Sequence, residues 1–303
     1  MVNMRVAIYS LESKYENTAL MQISMFHKLQ GDSVEWYSPL FHGSYDKIYC
    51  SGIFDYSPKD YVTQDMICGG TAFLGSEKEF NVLRKLPSKI EDCNYDYSIY
   101  PDCEKSYLWF SRGCIRSCPY CVVPKIEGKI HSVKPNKLNP KGKIVYVMDP
   151  NFFANPNYKS AIEFLESLGQ PVDFQQGVDA RIFTDEHGEA LNRVKIHKQI
   201  RTAWDNPKDD LTEQFELMKQ YIPKYKLMCF VLVGYWSTEK EDLYRIETLK
   251  SLGIDPYIMP YNKKDPYQRH LARWINARVG CEWKDYEPMK RMMCVSPKER
   301  KQQ

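Results

Sequence analysis

The chain has 303 residues, 43% of them hydrophobic and 27% charged, with a net charge of +3. These figures exclude a disordered chain and leave room for one large or two ordinary domains, at ~100–200 residues per domain. No run approaches the ~18 apolar residues of a spanning helix, and MVNMRVAIYS lacks the order of a signal peptide. The expectation is therefore a cytoplasmic protein with no membrane partner, whose mild positive charge tolerates an anionic substrate without demanding one.

Residues 1–90 read as alternating strands and helices. MRVAIYS is a short strand, apolar at Val6, Ala7 and Ile8. A helix follows from about Asn17 to Gln30, with Leu20, Ile23, Met25, Phe26 and Leu29 on its apolar side and Gly31 where a helix end is expected. SVEWYS, DKIYCSGIF and QDMICGG supply further strands, the last running through Gly69-Gly70 into a turn at TAFLG. Residues 91–104 are polar and tyrosine-rich and read as a linker.

Beyond the linker six strand candidates stand in order, at 106–110, 143–149, 171–177, 198–204, 226–234 and 255–261. Helical patterns at 158–169, 211–222 and 239–253 lie between them, the first and last ending in Gly169 and Gly253. Six β/α units fall short of the eight of a closed TIM barrel. The expected fold class is α/β: a small Rossmann-like domain (1–90), a linker (91–104), a partial (β/α)6 barrel (105–262) and a helical C-terminal extension (263–303).

The ten cysteines of a reduced, cytoplasmic chain need a reason other than disulfides. Three of them fall in SRGCIRSCPYCVVP (111–124), spaced C-x3-C-x2-C just after the first barrel strand. Thiolates favour iron–sulfur clusters and zinc. Cys114, Cys118 and Cys121 can hold three irons of a cubane and leave the fourth open, as catalytic metal sites keep a vacant position. A structural zinc would need a fourth ligand such as His131 or Cys103, and a purely buried role does not suit a polar Arg- and Gly-containing loop.

The same loop, with Tyr120 before its last cysteine, resembles the signature of the radical S-adenosylmethionine (SAM) superfamily. ALMQISMFHKLQGDSVEWY, FQQGVDAR, RTAWDNP, VLVGYWSTEKEDLYRIE and DPYIMPYN extend the resemblance over most of residues 5–275, to stand-alone proteins of about this length from bacteria and their phages. The resemblance implies a [4Fe–4S] cluster whose open iron binds SAM. It implies reductive cleavage to a 5′-deoxyadenosyl radical for hydrogen abstraction, and a flavodoxin- or ferredoxin-type electron donor. It also implies that SAM lies across the C-terminal strand ends. There Asp149 would accept from its amino group, and after the third strand Arg181, beside Gln176, would bind its carboxylate or a substrate anion. Asp205 and Asn206 would suit the ribose, and Met259 would flank the adenine. Arg181 could equally pair with Asp179, Asp149 could cap a helix, and Asp205-Asn206-Pro207 is ordinary turn chemistry.

Residues 1–90 resemble the cobalamin-binding domain that precedes many such barrels, but LESKYENT lacks the histidine that would ligate cobalt. A degenerate domain is therefore expected in preference to one that binds cobalamin. Six lysines and a single acid in residues 122–143 leave a nucleic acid or nucleotide substrate open beside a plain solvated loop. Methyl or methylthio transfer to nucleic acid or peptide, and a non-catalytic zinc or iron–sulfur nucleic-acid-binding protein, are the rival functions.

Overall fold

The structure is a computed structural model and describes residues 3–277. The basic tail, with Cys281 and Cys294, lies outside the described residues, as does all of the expected C-terminal extension beyond 277. The chain is α/β with parallel sheets and divides into two compact units. The first comprises Met1–Trp109, Cys118–Gly128 and Lys134–Lys143; the second comprises Phe110–Ser117, Lys129–Val133 and 144 onward. Among the described residues no helix is long and apolar enough to cross a membrane.

The first unit contains β1 (Arg5–Ser10), α1 (Thr18–Leu29), β2 (Ser33–Trp36), β3 (Lys47–Ser51), β4 (Ile67–Gly69), β5 (Asn81–Val82), α2 (Ser88–Glu91), β6 (Lys105–Leu108) and α3 (Val123–Ile126). Five of its strands form one parallel sheet in the order β2-β1-β3-β4-β5. Strand periodicity explains its two-sided core. Val6 and Ile8 pack with Leu20 and Ile23 of α1, while Ala7 points into the opposite cluster with Ile48, Met66 and Phe73. Each large apolar side chain so buried contributes roughly 1.5–3 kcal/mol.

Asn17 caps α1 by accepting from the Leu20 N–H, and Gly31, at φ +86°, ends it. Gly70 is required for a different reason. Its φ is +87°, and a Cβ there would stand 2.2 Å from the Gly52 carbonyl oxygen. Residues 91–104 are fastened to α1, because Asp96 accepts from Ser24 at 2.6 Å and Lys28 at 2.7 Å and the Tyr100 hydroxyl accepts from the Asn17 N–H.

The second unit contains β7 (Ser111–Arg112), β8 (His131–Ser132), β9 (Ile144–Val147), α4 (Tyr158–Leu168), β10 (Val172–Phe174), α5 (Asp185–Asn192), β11 (Ile200–Ala203), α6 (Thr212–Tyr221), β12 (Leu227–Val233), α7 (Glu239–Ser251), β13 (Asp255–Pro260) and α8 (Pro266–Asn276). β9 pairs with β10, β12 lies between β11 and β13, and all these pairings are parallel. β7 and β8 form an antiparallel pair. The parallel strands do not close into a barrel among the described residues. Alternation along β12 buries Leu227, Cys229, Val231 and Val233 on one face. α5 is an element the sequence did not announce. It runs unbroken through Gly188, which is needed where the Tyr221 ring packs, since a Cβ would meet that ring at 2.2 Å.

Candidate functional site

The cysteine loop leaves β7 through Gly113, whose φ of +77° lets the chain turn away from the β7–β8 ladder. Cys114 follows at once and belongs to the second unit, while Cys118 and Cys121 belong to the first. The Arg116 N–H donates to Cys114 Sγ at 3.4 Å. The Cys121 N–H donates to the Cys118 carbonyl at 3.0 Å, a tight turn that leads into α3, which has Pro124 in its first turn. None of the three cysteines is in a disulfide, and all three are half-buried. Among the described residues no three His, Cys, Asp or Glu side chains stand together as a ready metal cage.

The end of β9 supports this loop. Asp149, 2% exposed, accepts from the Phe110 N–H at 2.9 Å and from the Ser111 hydroxyl, so both its oxygens latch the entry to β7. Burial pushes its carboxyl up to about 6, although those two donors pull the other way. Asn155 reinforces the same corner, donating to the Phe110 carbonyl at 3.2 Å and accepting from Ser132 at 2.8 Å.

Asn151 links the loop to the end of β10. Its Nδ2 lies 3.7 Å from Cys114 Sγ and 3.2 Å from Asp179 Oδ2, while its Oδ1 is buried without a hydrogen-bond partner. Asp179 also accepts from Arg181, at 2.7 Å from Nε and 3.1 Å from Nη2, and from Arg116 Nε at 3.1 Å. Burial pushes the Asp179 carboxyl up, but the Arg181 and Arg116 guanidiniums outweigh it and hold it below the ordinary carboxylate value. Cys114, Asn151, Asp179, Arg116 and Arg181 thus form one network.

The other residues expected from the sequence stand elsewhere. Tyr120 is half-buried in the first unit. Gln176 is exposed in the turn closed by the Gly177 N–H on the Phe174 carbonyl. Asp205 accepts from the Leu232 N–H at 3.2 Å, and Asn206 forms a turn with Asp209 and Lys208. Met259, on β13, is 44% exposed. Arg245 lies behind Asp205, fully buried and paired with Asp242 at 2.6 Å. It donates to the carbonyls of Trp204, Asp205 and Leu232, at 2.6, 3.0 and 3.0 Å. Asn151, Arg116 and Arg245 were not anticipated from the sequence. Only the asparagines of MDPNFFANP, crowded after a strand, were a signal within reach.

The donor chemistry fits an iron–sulfur cluster: three unoxidised thiols in eight residues of polar loop, beside a buried amide oxygen in want of a donor. No family model matches the chain. The chain is similar to the tRNA-2-methylthio-N(6)-dimethylallyladenosine synthase of Aquifex aeolicus (strain VF5), at 25% identity over 211 residues, covering 59% of this chain and 48% of that protein. The chain therefore spans about half the length of the curated relative it matches.

Proposed function

We propose that the chain is a radical SAM enzyme in which Cys114, Cys118 and Cys121 hold a [4Fe–4S] cluster. The observation that carries this reading is the C-x3-C-x2-C spacing, which supplies three thiolates and no fourth within the same loop. The likeness to a synthase of a methylthiolated tRNA adenosine supports it from a second direction. The fold that goes with the reading is a Rossmann-like domain over 1–90 and a partial (β/α)6 barrel over 105–262.

When bound, the cluster and SAM would supply reductive sulfonium cleavage and a radical that removes a substrate hydrogen. The chain's own part is to position. Asp149 anchors the loop entry through Phe110 and Ser111. The unpartnered Asn151 Oδ1 offers an acceptor for an ammonium group beside Cys114, and the guanidiniums of Arg116 and Arg181, gathered on Asp179, offer charge for a carboxylate.

A second reading makes the reaction a methylthio transfer to a nucleic acid, with the lysines of 122–143 contacting phosphate. The relative's activity favours that substrate class over a peptide.

Anaerobic reconstitution of the full chain with iron and sulfide tests the first reading. The expected product contains about four irons and four sulfides per chain and yields 5′-deoxyadenosine from SAM and dithionite. The triple Cys114→Ala, Cys118→Ala, Cys121→Ala chain should lose both properties. A single zinc without sulfide, with SAM-independent RNA binding, would replace the reading with a non-catalytic nucleic-acid-binding protein. Methylthiolated nucleosides in tRNA exposed to the loaded chain would establish the second reading.

A further inference from the structure

A separate cavity of about 490 Å³ opens in the first unit, at the C-terminal ends of β1 and β2. The chain runs from β1 to β2 on one side and then to β3 on the other, so the end of β1 is a topological switch point. Open parallel sheets bind their ligands at such points. The cavity's volume falls in the range of small-molecule sites, roughly 300–1,000 Å³.

Its walls are aromatic. Tyr9, Tyr15, Trp36, Tyr37 and Tyr100 all line it. Tyr9 and Tyr37 pack with ring centroids 5.5 Å apart, and Trp36 meets Tyr100 edge-on at 5.4 Å. The rings are held in advance of any ligand: Trp36 Nε1 donates to the Ile99 carbonyl, and the Tyr100 hydroxyl accepts from the Asn17 N–H. Trp36 and Tyr15 are 42% and 51% exposed, so both are accessible to an entering molecule.

The polar lining narrows the class of ligand. Glu12 is occupied by the Ile53 and Phe54 N–H groups and the Ser57 hydroxyl, and Glu16 by Lys105 and the Tyr107 hydroxyl. Sugars rely on free carboxylates and amides to hold their hydroxyls, and these two carboxylates are already committed. Lys105 neutralises Glu16 at 2.9 Å, which leaves Glu12 and Asp102 against Lys14, a mildly negative field that opposes a phosphate. Flat aromatic faces and a mildly negative field favour a planar, uncharged or cationic ring. We propose that this cavity binds the planar nitrogen heterocycle of a nucleoside, held by stacking on Trp36 and Tyr15, and that it discriminates against the 5′-phosphorylated form.

The site is independent of the cysteine loop, and its test uses the full chain without cluster or SAM. Calorimetric titration with adenosine, adenosine 5′-monophosphate and ribose is compared for the parent, Trp36→Leu, Tyr15→Leu and Tyr225→Leu chains. Adenosine should bind the parent and the Tyr225→Leu chain alike, since Tyr225 is 77% exposed and does not line the cavity. Binding should weaken at least tenfold in Trp36→Leu and Tyr15→Leu, as expected for loss of a stacking partner. The monophosphate should bind more weakly than adenosine, and ribose should not bind. The two variants change half-exposed side chains, and unchanged circular dichroism certifies their fold. The triple-alanine cysteine chain should bind adenosine as the parent does, which separates this site from any nucleoside contact made near the loop. No adenosine binding, equal binding in both cavity variants, tighter binding of the monophosphate, or loss of binding in the triple-alanine chain overturns the proposal.

Discussion

Asp149 shows how much of a candidate residue's surroundings lies in contacts the sequence does not display. Its place at the end of a strand was legible in KIVYVMDP, and so was its acid chemistry. Its partners were not, because Phe110 and Ser111 are 39 and 38 positions away and no local period connects them. The same distance in sequence hid the joining of Asn151 and Arg116 on Asp179, 28 and 63 positions away. The cysteine pattern, by contrast, is visible in the sequence because its C-x3-C-x2-C spacing is local. The burial of Asp149 has a measurable consequence. A carboxyl raised from its ordinary 3.8 to about 6 favours the protonated fold. That stability is fully present below pH 3.8 and is lost as pH rises through about 6. The full difference is on the order of 3 kcal/mol, at about 1.36 kcal/mol per unit. Urea unfolding of the parent and of Asp149→Asn from pH 4.5 to 7.5 reads it as a difference that cancels other titrations. The parent should lose stability relative to the variant by roughly 2–3 kcal/mol across that window. A pH-independent difference would show that Asp149 is charged throughout.

The elements were legible where periodicity is strong and obscure where a packing contact dictates them. β12 follows its apolar alternation, and α1 its cap and closing glycine. β5, two residues long, and α5, with a glycine at a ring contact, carry no such signal. Two substitutions test what holds the elements in place. Arg245 ties α7 to the ends of β11 and β12 through three carbonyls while neutralising Asp242. Arg245→Met would strand a buried carboxylate whose pKa burial already raises. The expected loss is about 3–5 kcal/mol in urea unfolding, and adding Asp242→Leu should restore part of it, since removing both charges spares the unpaired one. In the first unit, Gly70→Ala forces a side chain into positive φ and against the Gly52 carbonyl. It should cost on the order of 2–4 kcal/mol. A chain carrying Gly70→Ala with an unchanged urea midpoint would show that the β3–β4 loops give way without penalty.

At the scale of the whole molecule, the sequence conveyed an α/β chain with parallel pairing, and the structure adds its division into two units, with Cys114 in one and Cys118 and Cys121 in the other. The division was hidden because SRGCIRSCPYCVVP reads as one continuous loop, whereas Cys114 is grouped with residues far along the chain and Cys118 and Cys121 with residues before it. Metal loading should therefore be visible in global stability as well as in catalysis. A group that binds the folded chain and not the unfolded one stabilises it by RT ln(1 + [L]/Kd), about 2.7 kcal/mol at a hundredfold excess over Kd. For a chain of this size each kcal/mol raises Tm by roughly 2–4 °C. Anaerobic loading with iron and sulfide should then raise the Tm of the parent by about 5–10 °C, and stripping the metal with a chelator should reverse it. The triple-alanine chain should melt at one temperature with or without iron and sulfide, because its thiolates are gone while the Asp149, Asn155 and Arg245 contacts that hold the fold remain. A parent whose Tm ignores iron and sulfide, or a triple-alanine chain that gains as much as the parent, would separate the cysteine loop from metal binding altogether.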